Sequence, residues 1–258
     1  MVKECKQTET EILVTQKLKI SYKEQVVLKE IDVSFHKGTI TALIGPSGTG
    51  KTTFLHALTR LNKSGTIVTG KILYHGIDIN DQGVDVYHLR THIGMLFQTA
   101  YVFPMSIYDN IAFSLRCHGM NEKAGINQVV EMSLIKAGLW ARVKDHLKQD
   151  ARLLSKSQAQ QLCLARALAL NPEVLLLDEA TSLLDPVATN TVENSLRLLR
   201  GQTTVILATH NLAQAARVSD ETLFLNEGLL VEKGKTKDIF THPQEQTTDN
   251  YLSHNFKR

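Results

Sequence analysis

Apolar residues fall along this chain in two periods, and their alternation sets the expected fold. Within residues 11–44, short apolar segments at 12–14, 18–22 and 26–35 are separated by turns and read as strands; a hairpin-like piece follows at 67–77. Ile40, Ala42, Leu43 and Ile44 form a compact apolar run, the pattern of a strand buried on both faces. Phe54, Leu55, Leu58 and Leu61 then recur at helical spacing. From about residue 107 to 170 the helical period dominates. Val129, Val130, Met132, Leu134, Ile135 and Leu139 are expected to line one of its helices, ended by Gly138 and Trp140. Strand signals return at 174–177 and 205–208, each followed by polar residues and a helix. The tail after Gly234 is polar, contains Pro243, and reads as a short helix and loop. The pattern predicts a split α/β core carrying a helical insertion.

Between the run ending at Ile44 and the helix containing Phe54 stands Gly45-Pro46-Ser47-Gly48-Thr49-Gly50-Lys51-Thr52. This is the G-x-x-x-x-G-K-[ST] phosphate loop in the strand, turn, helix setting that the motif requires. Gly45, Gly48 and Gly50 allow backbone conformations that a side chain hinders, so successive N–H groups can turn toward phosphate oxygens. The helix N-terminus adds its positive dipole end. Lys51 is placed to reach the β- and γ-phosphates, and the Thr52 hydroxyl to ligate Mg²⁺. Together with Thr53 these residues form the expected nucleoside triphosphate site, and the fold class they imply is α/β, a P-loop NTPase with a RecA-like core.

A second constellation lies beyond the insertion. Val174-Leu175-Leu176-Leu177 runs into Asp178-Glu179, so a buried strand delivers two carboxylates to its C-terminal edge, where ligands bind in open α/β sheets. Asp178 is placed to hold Mg²⁺ through water. Glu179 is placed to polarise a water attacking the γ-phosphate. His210 ends the next apolar strand in Ala208-Thr209-His210-Asn211, with the expected role of contacting the γ-phosphate and aligning that water. An Asp-Glu pair or a single His is by itself more often structural; the phosphate loop reverses those odds.

Composition narrows the class. The 258 residues suffice for one large α/β domain, and 43% hydrophobic with 21% charged residues is ordinary for a globular fold. A net charge of +3 is too small to argue for nucleic acid. Cys5, Cys117 and Cys163 are far apart without metal-ligand spacing and read as reduced thiols. No apolar stretch approaches a membrane span, and the polar N-terminus is unlike a signal peptide, so any membrane role is expected to be peripheral.

On these motifs the chain resembles the ATPase subunits of ABC transporters over essentially its whole length. The resemblance makes residues 45–52 the Walker A loop and 174–179 Walker B with its catalytic glutamate. It implies that Gln98 is the Q-loop glutamine, sensing the γ-phosphate through Mg²⁺ and the attacking water. Residues 182–185 correspond to the D-loop, His210 to the switch histidine, and Tyr22 to the aromatic that stacks on adenine. ATP and Mg²⁺ follow as the implied ligands. The implied organisation is a single domain over residues 1–258. Its catalytic core with an antiparallel β subdomain covers about 8–97 and 160–233, its helical subdomain about 98–159, and its tail 234–258. Segments 103–112, 162–169, 210–220 and 248–251 resemble the phosphate-import members in particular. The implied partners are transmembrane permease subunits, a second ATPase subunit, and indirectly an extracellular phosphate-binding protein, with the chain on the cytoplasmic face of the membrane. Residues 99–112, with Tyr101, Phe103, Met105, Ile107 and Tyr108, are expected to meet the permease.

The chain departs from that family at the signature. Leu154-Ser155-Lys156-Ser157-Gln158 stands where the family has Leu-Ser-Gly-Gly-Gln; Gln161, Ala180, Ala100 and Val102 replace an arginine and three prolines. In family dimers the signature of one subunit, here Ser155, Ser157 and Gln158, closes on the nucleotide of the other. Ser155-x-x-Gln158 and Ser157-x-x-Gln160 are both possible capping boxes, so a helix start is expected to survive. Side chains at 156 and 157 either weaken the composite site by steric exclusion, the favoured reading, or let Lys156 supply compensating charge. Three functions therefore stand: the ATPase of a phosphate importer, a weakly hydrolysing regulatory half of a heterodimer, and a soluble ABC protein acting on DNA or ribosomes. The last is disfavoured, because only about 55 residues separate Gln98 from Leu154 and there is one ATPase unit.

Overall fold

The structure, a computed structural model, describes residues 10–255, so Cys5 lies outside the described residues. Two long strands, β1 (Glu11–Tyr22) and β2 (Gln25–His36), form an antiparallel pair. The chain then enters the core through β3 (Ile40–Ile44) and α1 (Lys51–Leu58), and returns through β4 (Thr66–Tyr74) and β5 (Ile77–Asp78) to complete a sheet of order β2-β1-β4-β5. The β1–β4 register slips between Gln16 and Lys19. Gly70 sits across from that slip with φ +85°, where an added Cβ would lie 2.2 Å from the Lys17 carbonyl oxygen. Only glycine fits this close backbone approach.

After α2 (Val86–His92) and β6 (Ile93–Leu96) come the helices α3 (Ile107–Cys117), α4 (Lys123–Lys136), α5 (Trp140–Val143) and α6 (Lys156–Leu168). The core resumes with β7 (Val174–Asp178), α7 (Pro186–Leu199), β8 (Thr204–Ala208), α8 (Leu212–Val218), β9 (Glu221–Asn226) and β10 (Leu229–Lys235). The helices α9 (Thr236–Thr241) and α10 (Gln246–Asn255) follow. The second sheet has the order β10-β9-β3-β8-β7-β6, parallel throughout except for β10 at its edge.

Every residue of β3, β7 and β8 is buried, which is why these segments carry no polar alternation. The strand period of two still divides them between two cores. Val174, Leu176, Ile206 and Ala208 pack with Phe35 of β2 and Phe54 of α1. Leu175, Leu177, Val205 and Leu207 pack on the other side with Ile111, Val130, Leu162 and Val192 of the helices. Truncating Leu175 or Leu177 to alanine would cost about 2–5 kcal/mol, since neither void can be refilled by solvent-side groups. A third cluster, around Ile44 and Phe224, is covered by Ile239 and Leu252 of the last two helices.

Several local expectations change. Val130, Leu134 and Leu139 face the core, but Met132 and Ile135 are exposed, because the buried stripe of α4 runs through Ile126, Val130, Ser133 and Leu134. Ile107 is fully buried as the first residue of α3 and belongs to the core. The tail forms two helices, the second anchored by Tyr251 stacked on Phe224 with ring centroids 5.0 Å apart. Of the two capping boxes only Ser155/Gln158 forms. Ser157 and Gln160 find other partners, described below.

Candidate active site

Four parallel strands end at one edge of the second sheet, and each delivers a polar residue there. β3 leads into the phosphate loop, β6 into Phe97 and Gln98, β7 ends in Asp178 and Glu179, and β8 leads into Thr209 and His210. The residues predicted from the motifs thus come from segments far apart in sequence and meet because the strand order places β3, β8, β7 and β6 side by side.

Gly45, Gly48 and Gly50 of the loop have φ of +149°, +83° and +104°. A Cβ on Gly45 would stand 2.0 Å from the Leu225 carbonyl oxygen of β9, so β9 presses the loop into place. Lys51 opens α1 and curls back, its Nζ donating to the carbonyl oxygens of Gly45 at 2.8 Å and Pro46 at 2.9 Å. Burial pushes the Lys51 ammonium below its usual range, and the nearby charges of Glu179 and Asp178 oppose that shift. Thr49 Oγ1 donates to Pro46 O at 3.0 Å.

Thr52 Oγ1 donates to Asp178 Oδ1 at 2.9 Å, joining the helix start to the end of β7. Burial raises the Asp178 carboxyl above its usual range, against the lowering effect of the Thr52 bond. Glu179 adopts φ +47°, which turns its side chain out of the strand line, while its N–H donates to Ala208 O at 2.9 Å. Its Oε2 lies 3.1 Å from His210 Nδ1 and 3.5 Å from Gln98 Nε2; Gln98 also donates to Ser182 Oγ at 3.1 Å. Hydroxyl, carboxylate and amide oxygens at Thr52, Asp178 and Gln98 are hard donors, the set that suits Mg²⁺.

The other predicted residues stand apart from this cluster. Tyr22 is 41% exposed at the end of β1, with Lys23 Nζ 5.7 Å from its ring centroid. Ser155 and Gln158 form the reciprocal cap of α6. Ser157 Oγ donates to Asp185 Oδ2 at 2.9 Å, and the other oxygen of Asp185 caps α7 through Ala188 N. The altered signature is therefore tied to its own chain's 182–185 loop.

Sequence reasoning assigned three further residues no role at the site. Gln160, 1% exposed, donates from Nε2 to Phe97 O at 2.8 Å and Ala180 O at 2.9 Å, bridging the approaches to Gln98 and Glu179. Tyr251 takes a hydrogen bond from the Gly45 backbone, while burial raises its phenol. Asn110, fully buried, holds residues 103–106 through bonds to Phe103 N, Phe103 O and Ser106 O. Gln160 entered only as a capping candidate, and Asn110 and Tyr251 only within the 103–112 and 248–251 segments of resemblance; nothing in their local patterns points to these contacts. A separate cavity of about 570 Å³, lined by Tyr74, His75, His88, His92 and Glu173, lies beyond the opposite end of β7. Among the described residues no three His, Cys, Asp or Glu side chains are grouped to hold a metal ion.

Comparison with known proteins agrees with this geometry. The ABC transporter family profile matches residues 28–182. The chain is 48% identical over 244 residues to "Phosphate import ATP-binding protein PstB 1" of Lactiplantibacillus plantarum, covering 95% of this chain and 91% of that one. It is 47% identical over 244 residues to "Phosphate import ATP-binding protein PstB 2" of Enterococcus faecalis, covering 94% and 91%. Among solved structures, cbiO1 from Clostridium perfringens, part of the ABC transporter complex cbiONQ, superposes with a TM-score of 0.79 at 28% identity over 91% of this chain and 92% of that one. A bacterial Atm1-family ABC exporter with ATP bound gives 0.81 at 25% identity over 100% of this chain and 44% of that one.

Proposed function

The chain belongs to the ABC transporter family, and from that premise we propose that it is the ATP-hydrolysing, energy-coupling subunit of an importer for inorganic phosphate. The observation that carries the chemical part is Glu179, a carboxylate set at the catalytic edge with His210 on one side and Gln98 on the other. Phosphate as cargo rests on the relatives, since an ATPase subunit does not touch the transported ion.

The loop amides of residues 45–50 and the Lys51 ammonium bind the phosphates of ATP, and Tyr22 offers its exposed ring to the base. Thr52, Asp178 and Gln98 would hold Mg²⁺, which would supply positive charge to offset that of the phosphates. Glu179 takes the proton of the attacking water, and His210 keeps that carboxylate and the water in line. Ser155, Ser157 and Gln158 face the nucleotide of a second ATPase subunit.

Among the described residues no helix is long and apolar enough to cross a membrane. The chain docks peripherally on the cytoplasmic face, with Tyr101, Phe103 and Met105 as the exposed apolar contact for a permease. Arg166 steadies that patch: its guanidinium lies 4.3 Å from the Phe103 ring centroid and donates to Tyr101 O at 2.8 Å. The relatives' names favour this reading over a merely regulatory half. The test is hydrolysis by the chain reconstituted with its permeases, with phosphate or sulfate presented by the binding protein. Stimulation by phosphate alone supports the proposal. Stimulation by another solute refutes the cargo, and no turnover refutes the activity.

A further inference from the structure

The buried face of α8 carries Leu212, Ala215 and Val218, and among them one polar residue, Gln214, which is fully buried. Its side-chain oxygen accepts two hydrogen bonds, from Thr181 Oγ1 at 3.0 Å and from Thr209 Oγ1 at 3.1 Å. An amide oxygen has two lone pairs, so both are used. Its Nε2 faces Glu193 Oε1 at 3.4 Å, and Glu193 is in turn held by Arg217 at 2.7 and 3.2 Å. Thr181, Thr209 and Glu193 are all at most 7% exposed and line a polar cavity of about 360 Å³, while Gln214 itself is fully buried behind them.

The two threonines mark the two segments that carry the chemistry. Thr209 immediately precedes His210, and its hydroxyl accepts from Asn211 N at 3.0 Å while donating to Gln214. Thr181 lies two residues after Glu179 and next to Ser182, whose Oγ takes the Gln98 bond. A core built only for stability would place an apolar residue at 214, as it does at 212, 215 and 218.

We propose that Gln214 is a positioning residue: its single carbonyl oxygen fastens the His210 loop to the segment following Glu179, so that the His210–Glu179 contact forms at a fixed separation. This rests on the hydrolytic reading of the site. Movement of either segment alone breaks one of the two bonds to the fully buried Gln214 oxygen, so the two segments are coupled through it.

The test uses the full-length chain with Thr209→Val, Thr209→Ser, Thr181→Val and Gln214→Met. Thr209→Val, nearly isosteric but without the hydroxyl, is expected to lower kcat about 10-fold or more with KM for ATP within about 2-fold, while Thr209→Ser restores the rate. The double variant Thr209→Val/Gln214→Met should be no slower than the worse single one. A second readout needs no turnover: amide hydrogen exchange at residues 181–184 should rise in Thr209→Val and at 209–212 in Thr181→Val. Exchange that rises only on the mutated side overturns the clamp, as does a parental kcat in Thr209→Val. If the parent chain itself fails to hydrolyse ATP, the functional reading falls while the exchange experiment still decides on Gln214.

Discussion

His210 Nδ1 lies 3.1 Å from Glu179 Oε2, although the two residues follow different strands, β8 and β7, and stand 31 positions apart. Under the proposed function the contact joins the proton acceptor to the residue that aligns its substrate water, and it depends on β7 and β8 being paired in register from Val174–Thr204 to Asp178–Ala208.

Glu179→Gln should retain ATP binding and lose about 10²- to 10⁴-fold in turnover, because an amide cannot take the proton of water. Equilibrium nucleotide binding and steady-state hydrolysis, measured side by side, check this. Hydrolysis at the parental rate would place the base elsewhere.

Asp178→Asn should abolish turnover yet stabilise the chain. Burial raises the folded-state pKa of Asp178, so folding disfavours its anion. That cost is present above the folded pKa and disappears below the unfolded value of about 3.9. If about 1 kcal/mol is relieved, the variant should melt roughly 2–4 °C higher at pH 8. The difference should close as pH falls toward 4, which thermal scans across that range will read.

The placement of the phosphate loop, both carboxylates and His210 at one sheet edge was legible in the sequence because each follows a short apolar run, whereas Gln98 entered only through the family resemblance and the strand before it, Ile93–Leu96, was not read from the sequence. Met132 and Ile135 were not: on α4 the apolar residues outnumber the buried face, so composition points inward where packing does not. The partners of Ser157 and Gln160 were equally invisible. A capping box is a local pattern, whereas Asp185, Phe97 and Ala180 approach only after the helices dock on the sheet.

The exposed patch before α3 should meet the permease through some of its apolar residues and not others. Cysteines at Tyr101 (65% exposed), Phe103 (38%) and Met105 (37%) should crosslink in an active complex, and one at fully buried Ile107 should not. Crosslinking from none of the first three would move the docking surface.

Lys156→Gly/Ser157→Gly should raise hydrolysis about 10-fold if roughly 1.4 kcal/mol of transition-state contact is regained. Steady-state assays of the parent and double variant decide this. A brisk parental rate, unchanged by the glycines, would show that Lys156 compensates.

Ser157 and Asp185 are 28 positions apart in the chain and 2.9 Å apart in space, so substitutions at the two positions do not act independently. A lineage that first replaces Ser157 by glycine keeps α7 capped, because Asp185 still accepts from Ala188 N through its other oxygen. Losing Asp185 instead uncaps α7 and leaves the Ser157 hydroxyl to solvent. The glycine form of the signature is therefore reached without disturbing α7, whereas Asp185 carries two contacts at once.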